Sequence, residues 1–234
     1  MITLPFGIIL TVTVFVLSMG KDNLALYFNL HSLLIVGLGT VGILFFSNPM
    51  LVLKNLSKDI IGLFKKNFDF TQAQKQLNQL AKNKNQPTDS TDEMIRYAQD
   101  LWSQGVNQEL FVVLISQKRK EIEQRSVDAI QSLKNLAKYP PALGMAGTVM
   151  GIVTLFQSLD TNKDKIGPAL AMALTATFFG LAIANVIVMP LSDRLQIEHI
   201  AHKNYLQNIY QILLLINQDE ASSLIEDEVN QRAA

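Results

Sequence analysis

The chain has 234 residues, of which 49% are hydrophobic and 17% charged. Its 20 Lys and Arg residues balance 20 Asp and Glu residues, so the net charge of zero gives no electrostatic case for nucleic acid as a partner. Cysteine is absent, which excludes disulfides, thiol catalysis and cysteine-ligated metals. With 3 scattered histidines and no motif for a nucleophile or a phosphate loop, we expect neither an enzyme nor a metal site.

Four long stretches of the chain contain no Asp, Glu, Lys or Arg, and each is close to or above the roughly 20 residues that a helix needs to cross a bilayer. Helices satisfy the backbone hydrogen bonds that lipid leaves unmet. The sequence therefore predicts an all-α membrane protein with four transmembrane helices, at residues 1–20, 24–48, 139–159 and 166–192.

The first stretch resembles a signal peptide only in its apolar character. No basic residue precedes it, and no small-x-small cleavage site comes before Lys21. We therefore expect it to remain as a membrane span.

Lysines indicate the orientation of the chain. Six of them flank the long segment between the second and third spans: Lys54, Lys58, Lys65, Lys66, Lys134 and Lys138. Because positive charge favours the cytoplasmic side, residues 49–138 are predicted to form a cytoplasmic helical domain. Both termini then lie in the cytoplasm as well, with residues 193–234 forming C-terminal helices there.

Apolar residues recur at helical spacing in these cytoplasmic extensions. After the second span, leucines and lysines fall on opposite sides of a helix, which predicts an amphipathic helix along the lipid headgroups. Further helices are predicted at residues 92–103 and 107–137, with Ser90 or Thr91 capping the former. Residues 195–217 extend the fourth span with one apolar face, and the acidic tail beyond them is expected to be solvated.

Small residues form stripes on the last two predicted spans, where they let helices approach closely in lipid. The third span carries Gly144, Gly147 and Gly151, and the fourth carries Ala173 and Gly180 among others. Packing alone is one explanation of these stripes. The neighbouring threonines are harder to explain by packing.

Thr148 and Thr177 lie at mid-depth beside these stripes, where a hydroxyl either bonds to its own helix or lines a polar route. We add Thr175 to this candidate ion pathway. Pro141 and Pro190 interrupt the backbone ladder at the cytoplasmic level, as bend points or as helix ends. None of the four spans contains a carboxylate, so an ion-conducting protein of this kind would need another chain to supply one.

Two segments carry a resemblance to a known family. PALGMAGTVMGIV (residues 141–153) and IGPALAMALTATFFGLAIANVIVMPLSDRL (residues 166–195) resemble the third-span and fourth-span signatures of the MotA/TolQ/ExbB family of ion-driven motor channels. The four predicted spans, the turn LDTNKDKIGPA and the tail from Tyr205 onward are similar to its flagellar stator branch, which includes MotA and the sodium-type PomA.

The resemblance implies a pentamer around a dimer of a single-span MotB-like or PomB-like protein, whose transmembrane Asp carries the ion. Thr148 and Thr177 match threonines of the ion route in sodium-type relatives, and the two prolines match residues that couple ion flow to torque. The small residues would pack around the partner. No cofactor is implied beyond the transported Na⁺ or H⁺, with a slight preference for Na⁺, and the location would be the bacterial inner membrane.

One departure from the flagellar pattern concerns the cytoplasmic loop AKNKNQPTDSTDE, which is shorter and lacks the Arg and paired Glu of relatives that contact a cytoplasmic rotor. Rotor-contact residues are therefore not assigned. An energiser of the TolQ or ExbB kind, which drives an envelope process instead of a flagellum, stays open. A scaffold or a solute transporter is the third reading, and the sequence shows no inverted repeat for the latter.

Overall fold

The computed structural model describes residues 3–19, 27–63, 70–82, 90, 92–159, 164 and 166–218. Every regular element of two or more turns in this part of the chain is a helix. In chain order they are α1 (Thr3–Met19), α2 (Leu30–Ser47, with a π-helical segment Leu34–Leu38), α3 (Met50–Gly62), α4 (Phe70–Lys82), α5 (Glu93–Ser103), α6 (Gln108–Leu136), α7 (Tyr139–Leu159) and α8 (Ile166–Asn217, with a π-helical segment Ile183–Val188).

Three helical stretches are long and apolar enough to cross a membrane: Leu30–Ser47, Gln108–Leu159 and Ile166–Asn217. The first predicted span contains α1, whose apolar stretch Ile9–Ser18 is shorter. The all-helical prediction is therefore confirmed for the described residues, whereas the count of four spans stays a prediction. The predicted loop at residues 82–93, the short connections at residues 21–23 and 160–165 and the acidic tail lie largely outside the described residues.

The chain divides into two compact units. Unit 1 comprises Met1–Lys58 and Asp128–Leu195, and unit 2 comprises Asp59–Val127 and Gln196–Ala234. Within unit 1, α7 packs along α8, and α2 contacts both of them. The buried positions at the contact of α7 with α8 are mostly glycine and alanine, so their backbones approach more closely than larger side chains would allow.

Unit 2 has a conventional hydrophobic core. Its buried residues come from α4, α5, α6 and α8, and those of α8 repeat every three or four residues, which places them on one side of the helix. They include Leu206, Ile209, Ile212, Leu213 and Ile216. The apolar face predicted for residues 195–217 is thus buried, apart from the half-buried Tyr210, and α8 ends at Asn217 as its periodicity indicates.

The start of α5 differs from the prediction. Asp92 is the N-cap, because its carboxylate accepts the backbone N–H groups of Met94 and Ile95 at 2.8 and 3.2 Å. Ser90 lies two residues earlier, where its hydroxyl accepts the N–H of Asp92 and donates to Gln76. Thr91 lies outside the described residues. Ser90 supports the turn before the cap, so its assignment as the cap was wrong.

Pro190 does not end the fourth apolar helix. The π-helical segment Ile183–Val188 ends two residues before it, and α8 continues to Asn217. Proline has no N–H to donate, and a locally widened helical turn is one way to absorb the missing bond. The reading of Pro190 as a helix end is therefore wrong, while its role as a bend point stays a prediction.

The sides of α3 are also arranged differently from the expectation. Its leucine side is turned inward, with Leu56 and Leu63 buried and Leu53 half-buried. Lys54 and Lys58 are on the exposed side, as predicted, but they share it with large apolar residues, and Lys65 and Lys66 lie outside the described residues. The leucine side is thus occupied by the protein's own packing, while the position of α3 along the headgroups stays a prediction.

Candidate functional site

The contact between α7 and α8 depends on glycines that leave no room for a side chain. A Cβ atom at Gly144 would lie 2.8 Å from the carbonyl oxygen of Ala176, and one at Gly151 would lie 2.8 Å from the backbone nitrogen of Ala173. At Gly180 a Cβ atom would lie 2.6 Å from the carbonyl oxygen of Pro140. The two backbones are therefore in direct contact along this seam.

All five small residues predicted to pack around a partner are buried in this seam: Gly144, Gly147, Gly151, Ala173 and Gly180. A Cβ atom at Gly147 would lie 2.6 Å from that of Ala176, again on α8. The stripes thus pack against each other within one chain. The facing helix of the same chain covers them, and their packing around a partner stays a prediction.

Thr148 and Thr177 meet at this seam. Their Oγ1 atoms are 2.5 Å apart, and Thr148 Oγ1 also lies 3.0 Å from the carbonyl oxygens of both Gly144 and Ala173. Both threonines are half-buried. Sequence reasoning paired these two residues, and the structure brings their hydroxyls together with two carbonyls into a cluster of four oxygen atoms.

This oxygen cluster has the ligand chemistry of a hard cation such as Na⁺, which prefers hydroxyl, carbonyl and water oxygens. Each hydroxyl has one proton to donate, so lone pairs remain available on the cluster after its internal hydrogen bonds are made. The predicted spans carry no carboxylate. Neutral oxygens alone can solvate a cation in transit, whereas the balancing negative charge has to come from elsewhere.

Thr175 does not join this cluster. Its buried hydroxyl oxygen lies 2.7 Å from the carbonyl oxygen of Ala171 and 2.9 Å from Ser32 Oγ, so it can donate to one of them. Ser32 is fully buried and also donates to the carbonyl of Met172 at 2.8 Å. Thr175 therefore connects α8 to α2. Sequence reasoning missed Ser32, although a serine within an apolar span is a polar group that needs a partner.

The two prolines lie in different settings. Pro141 is half-buried in the first turn of α7, where its missing N–H costs little. Its neighbour Pro140 is buried and supplies the carbonyl that approaches Gly180. Pro190 is exposed, two residues after the π-helical segment. The structure thus ties Pro140 to the seam, and coupling through Pro141 and Pro190 stays a prediction.

Unit 2 carries a charged network around Glu93 at the start of α5. Lys118 lies 2.8 Å and Arg125 3.1 Å from its carboxylate, and Glu121 contacts both of these cations. Burial raises the pKa of Glu93, but the hydrogen bond and charge of Lys118 and the charge of Arg125 outweigh it, so the pKa is lowered. Arg125 lowers the pKa of Glu121 by hydrogen bonding.

A second polar group in unit 2 lies where α5 meets α8. The Tyr205 hydroxyl donates to Asp92 Oδ2 at 2.7 Å, while the other Asp92 oxygen caps α5. The His202 ring stacks on Tyr205 at 6.1 Å between centroids. Burial lowers the pKa of His202 despite the opposing charges of Asp92 and Glu123, and the nearby His199 lowers it further.

The comparison with protein families decides the identity of the chain. The sequence model of a protein family, described as the MotA/TolQ/ExbB proton channel family, matches residues 74–207, which is more than half of the chain. The chain belongs to this family. The resemblance found in the two apolar signatures is therefore confirmed. Together with the three stretches of membrane-crossing length, membership in the MotA/TolQ/ExbB family makes the chain a multi-pass protein of the inner membrane.

Curated relatives match parts of the chain. Motility protein A of Cereibacter sphaeroides is 35% identical over 89 residues, covering 38% of this chain and 35% of that protein. Chemotaxis protein PomA of Vibrio alginolyticus is 40% identical over 57 residues, covering 24% of this chain and 22% of that protein. The matched region thus spans about a third or less of the length of these two relatives.

Solved structures extend the likeness to the whole fold. The structure of C. jejuni MotAB has a TM-score of 0.80 at 18% identity and covers 98% of this chain and 94% of that chain. The flagellar MotAB stator complex from Bacillus subtilis has a TM-score of 0.75 at 21% identity, with 96% and 93% covered. At these identities the likeness establishes the MotA-like fold.

Proposed function

We propose that the chain is the stator subunit of an ion-driven rotary motor of the flagellar MotA/PomA type. The family membership and the fold shared with MotAB structures support this assignment. With a single-span MotB-like or PomB-like partner, the chain forms a cation channel that couples Na⁺ or H⁺ entry to torque. Five copies surround the partner, with both termini of each copy in the cytoplasm, and a cytoplasmic rotor receives the torque.

The observation that carries this proposal is the oxygen cluster at the seam of α7 and α8, where the Thr148 and Thr177 hydroxyls are 2.5 Å apart. Passage of one unit charge down a 100 mV potential releases about 2.3 kcal/mol. To use this energy, an ion must give up part of its water on the way. Neutral oxygens at the seam replace that water, and the partner's Asp provides the negative charge. We favour Na⁺ as the ion.

Replacing Thr148 or Thr177 with Val tests the role of the cluster, because valine keeps the shape of the side chain and removes the hydroxyl. We expect either variant to abolish swimming or to change its dependence on external Na⁺, while the assembly with the partner persists. The measurement is swimming speed across a series of Na⁺ concentrations, with co-purification of the partner as the check on assembly.

Thr154→Val is the matched control. Thr154 is exposed on the same helix, and its hydroxyl bonds back to the carbonyl of Met150 at 3.0 Å. We expect this variant to swim like the parent chain. Normal motility and unchanged ion dependence in both Thr148→Val and Thr177→Val would remove the cluster from the mechanism.

The second candidate function is an energiser of the TolQ or ExbB kind, favoured by the short cytoplasmic loop without the rotor-contact pattern. Both proposals use the same ion route, so they differ in the cellular process that ion flow drives. Deletion of the chain abolishes swimming with an intact envelope if it is a flagellar stator. A leaky envelope or failed uptake with normal swimming would identify the energiser instead.

A further inference from the structure

The exposed side of α3 mixes lysines with large apolar side chains. At 100° per residue, its members fall within about 120° of the helix circumference. They are Met50, Leu51, Lys54, Lys58 and Ile61, and all are exposed. We call this set the lysine face of α3. Large exposed apolar residues beside lysines are typical of helices that contact a membrane interface.

The opposite side of α3 cannot serve that purpose, since the protein itself occupies it. Leu56 and Leu63 are buried, and Leu53 and Ile60 are half-buried. Asp59, the acidic residue of α3, is also half-buried on this side and already has an interaction within the protein. The lysine face is therefore the side of α3 that is available to something outside the chain.

Chain connectivity fixes the depth of this face. The membrane-length helix α2 ends at Ser47, Asn48 has extended backbone angles of −133° and 138°, and α3 begins at Met50. Only the break at Asn48 and Pro49 separates the end of a span from the first apolar residues of the lysine face. With α2 spanning the membrane, Met50 and Leu51 would lie at the level where hydrocarbon meets headgroups.

Within the part of the chain that the structure describes, no carboxylate pairs with the lysines of this face. Neither Lys54 nor Lys58 forms an ion pair with a carboxylate of the described residues, and both are exposed. A lysine near the end of a span can lay its methylene chain along lipid while its ammonium group stays among the headgroups. Lys54 and Lys58 lie about one and two turns after Met50. Their ammonium groups are therefore placed to contact the phosphates of the leaflet that Met50 contacts.

We propose that the lysine face of α3 is a binding surface for anionic phospholipid headgroups, with Met50 and Leu51 inserted among the acyl chains. Lys54 and Lys58 select anionic over zwitterionic lipid, because each lysine near an anionic surface is attracted to it. The inference rests on the inner-membrane topology of the proposed function, which puts α3 at the cytoplasmic leaflet. It adds a lipid preference that the motor function does not require.

A tryptophan reporter tests lipid contact directly. The Leu51→Trp chain, extracted from membranes with its bound partners, is reconstituted in vesicles of brominated phosphatidylcholine or brominated phosphatidylglycerol. Quenching is measured relative to the unmodified chain, whose Trp102 gives the baseline. Val113→Trp is the matched reporter in unit 2, since Val113 is 60% and Leu51 68% exposed. We expect strong quenching at position 51 with a preference for phosphatidylglycerol, and little at position 113.

Charge removal then tests the preference for anionic lipid. Adding Lys54→Gln and Lys58→Gln to the Leu51→Trp chain should lower the preference for phosphatidylglycerol several-fold, with about fivefold per lysine as the upper bound. Lys75→Gln with Lys120→Gln, at two exposed lysines of unit 2, removes the same charge elsewhere and should leave the preference unchanged.

Two results would overturn the proposal. An unquenched reporter at position 51 would show that protein, such as a second copy, covers the lysine face. Equal quenching by both lipids, unaltered by loss of Lys54 and Lys58, would show that the contact has no preference for anionic headgroups. The lipid proposal is tested by fluorescence and the motor proposal by swimming, so the failure of one can be distinguished from the failure of the other.

Discussion

A methyl group at Gly180 would meet backbone atoms that cannot move aside easily. Its Cβ atom would lie 2.6 Å from the carbonyl oxygen of Pro140. Overpacking of this kind typically costs about 1–3 kcal/mol. We therefore expect Gly180→Ala to lower the midpoint of thermal unfolding in detergent.

Gly42→Ala is the control for that substitution. Gly42 lies within α2 with no heavy atom within 4 Å of its would-be Cβ, so alanine there should be neutral or stabilising by about 0.5–1 kcal/mol. An equal loss of thermal stability in both variants would contradict the view that the seam of α7 and α8 is closed by direct backbone contact.

His202 gives unit 2 a specific dependence on pH. Burial lowers the pKa of His202 below that of the unfolded chain, with Asp92, Glu123 and His199 as the charged groups facing it. The unfolded state then binds more protons, so stability is full at neutral pH and declines as pH falls below about 6.5. We expect a lower unfolding temperature at pH 5.5 than at pH 7.5.

His202→Gln should reduce that decline, since glutamine does not titrate. His31→Gln, at an exposed site on α2, is the control that removes a histidine outside unit 2. Glu93 and Glu121 have lowered pKa values, so both remain ionised across this range and do not contribute to the difference. Identical pH profiles for the parent chain and His202→Gln would exclude the histidine as the cause.

At the scale of elements, Asp92 holds two helices together. One carboxylate oxygen caps α5, and the other accepts the hydroxyl of Tyr205 on α8. Loss of a cap costs about 0.5–2 kcal/mol, and Asp92→Ala also removes the bond from Tyr205. We expect Asp92→Ala to destabilise the chain more than Tyr205→Phe, which costs about 1 kcal/mol.

The double variant checks this coupling. Because both substitutions remove the same hydrogen bond, their effects on the free energy of unfolding should sum to more than the effect of the double variant. Denaturant unfolding of the four chains gives the comparison. Strict additivity would mean that Asp92 acts on α5 alone and does not tie it to α8.

Much of this helical architecture was predictable because its signals are local. The bounds of α7 follow from the charges at Lys138 and Asp160, and the end of α8 at Asn217 follows from its apolar period. The cap of α5 was predicted at Ser90 or Thr91, one or two residues before Asp92, since several cap-forming residues precede this helix. Local patterns of this kind identify an element better than its boundary.

The candidate site was predictable only in part. Thr148 and Thr177 each lie beside a stripe of small residues, so close helix packing brings them together. The pairing of Ser32 with Thr175 joins residues 143 positions apart, and no local pattern marks it. Likewise, the inward turn of the α3 leucines depends on neighbours that sequence periodicity does not reveal.

At the scale of the whole molecule, charge limits what the chain can do alone. Its predicted spans offer hydroxyl and carbonyl oxygens and no carboxylate. An unpaired cation within a bilayer is costly, so the chain without its partner should conduct ions poorly. We expect negligible ion flux from vesicles that contain the purified chain alone.

Co-reconstitution with a single-span partner that bears a membrane Asp should restore flux, and Asp→Asn in that partner should remove it again. The measurement is an ion-sensitive dye inside the vesicles under an imposed potential. Normal flux from the chain alone would contradict the division of roles between the chain and the partner.

The π-helical segment of α8 has a geometric consequence. Buried residues there recur at strict intervals of four, at Ala176, Gly180, Ala184, Val188 and Ser192. In a straight α-helix each interval of four overshoots a full turn by about 40°, so four intervals would wind about 160° around the axis. The wider winding between Ile183 and Val188 cancels part of this angular drift. Loss of a single residue in that segment would therefore rotate Ser192 away from its buried side without altering any side chain's chemistry.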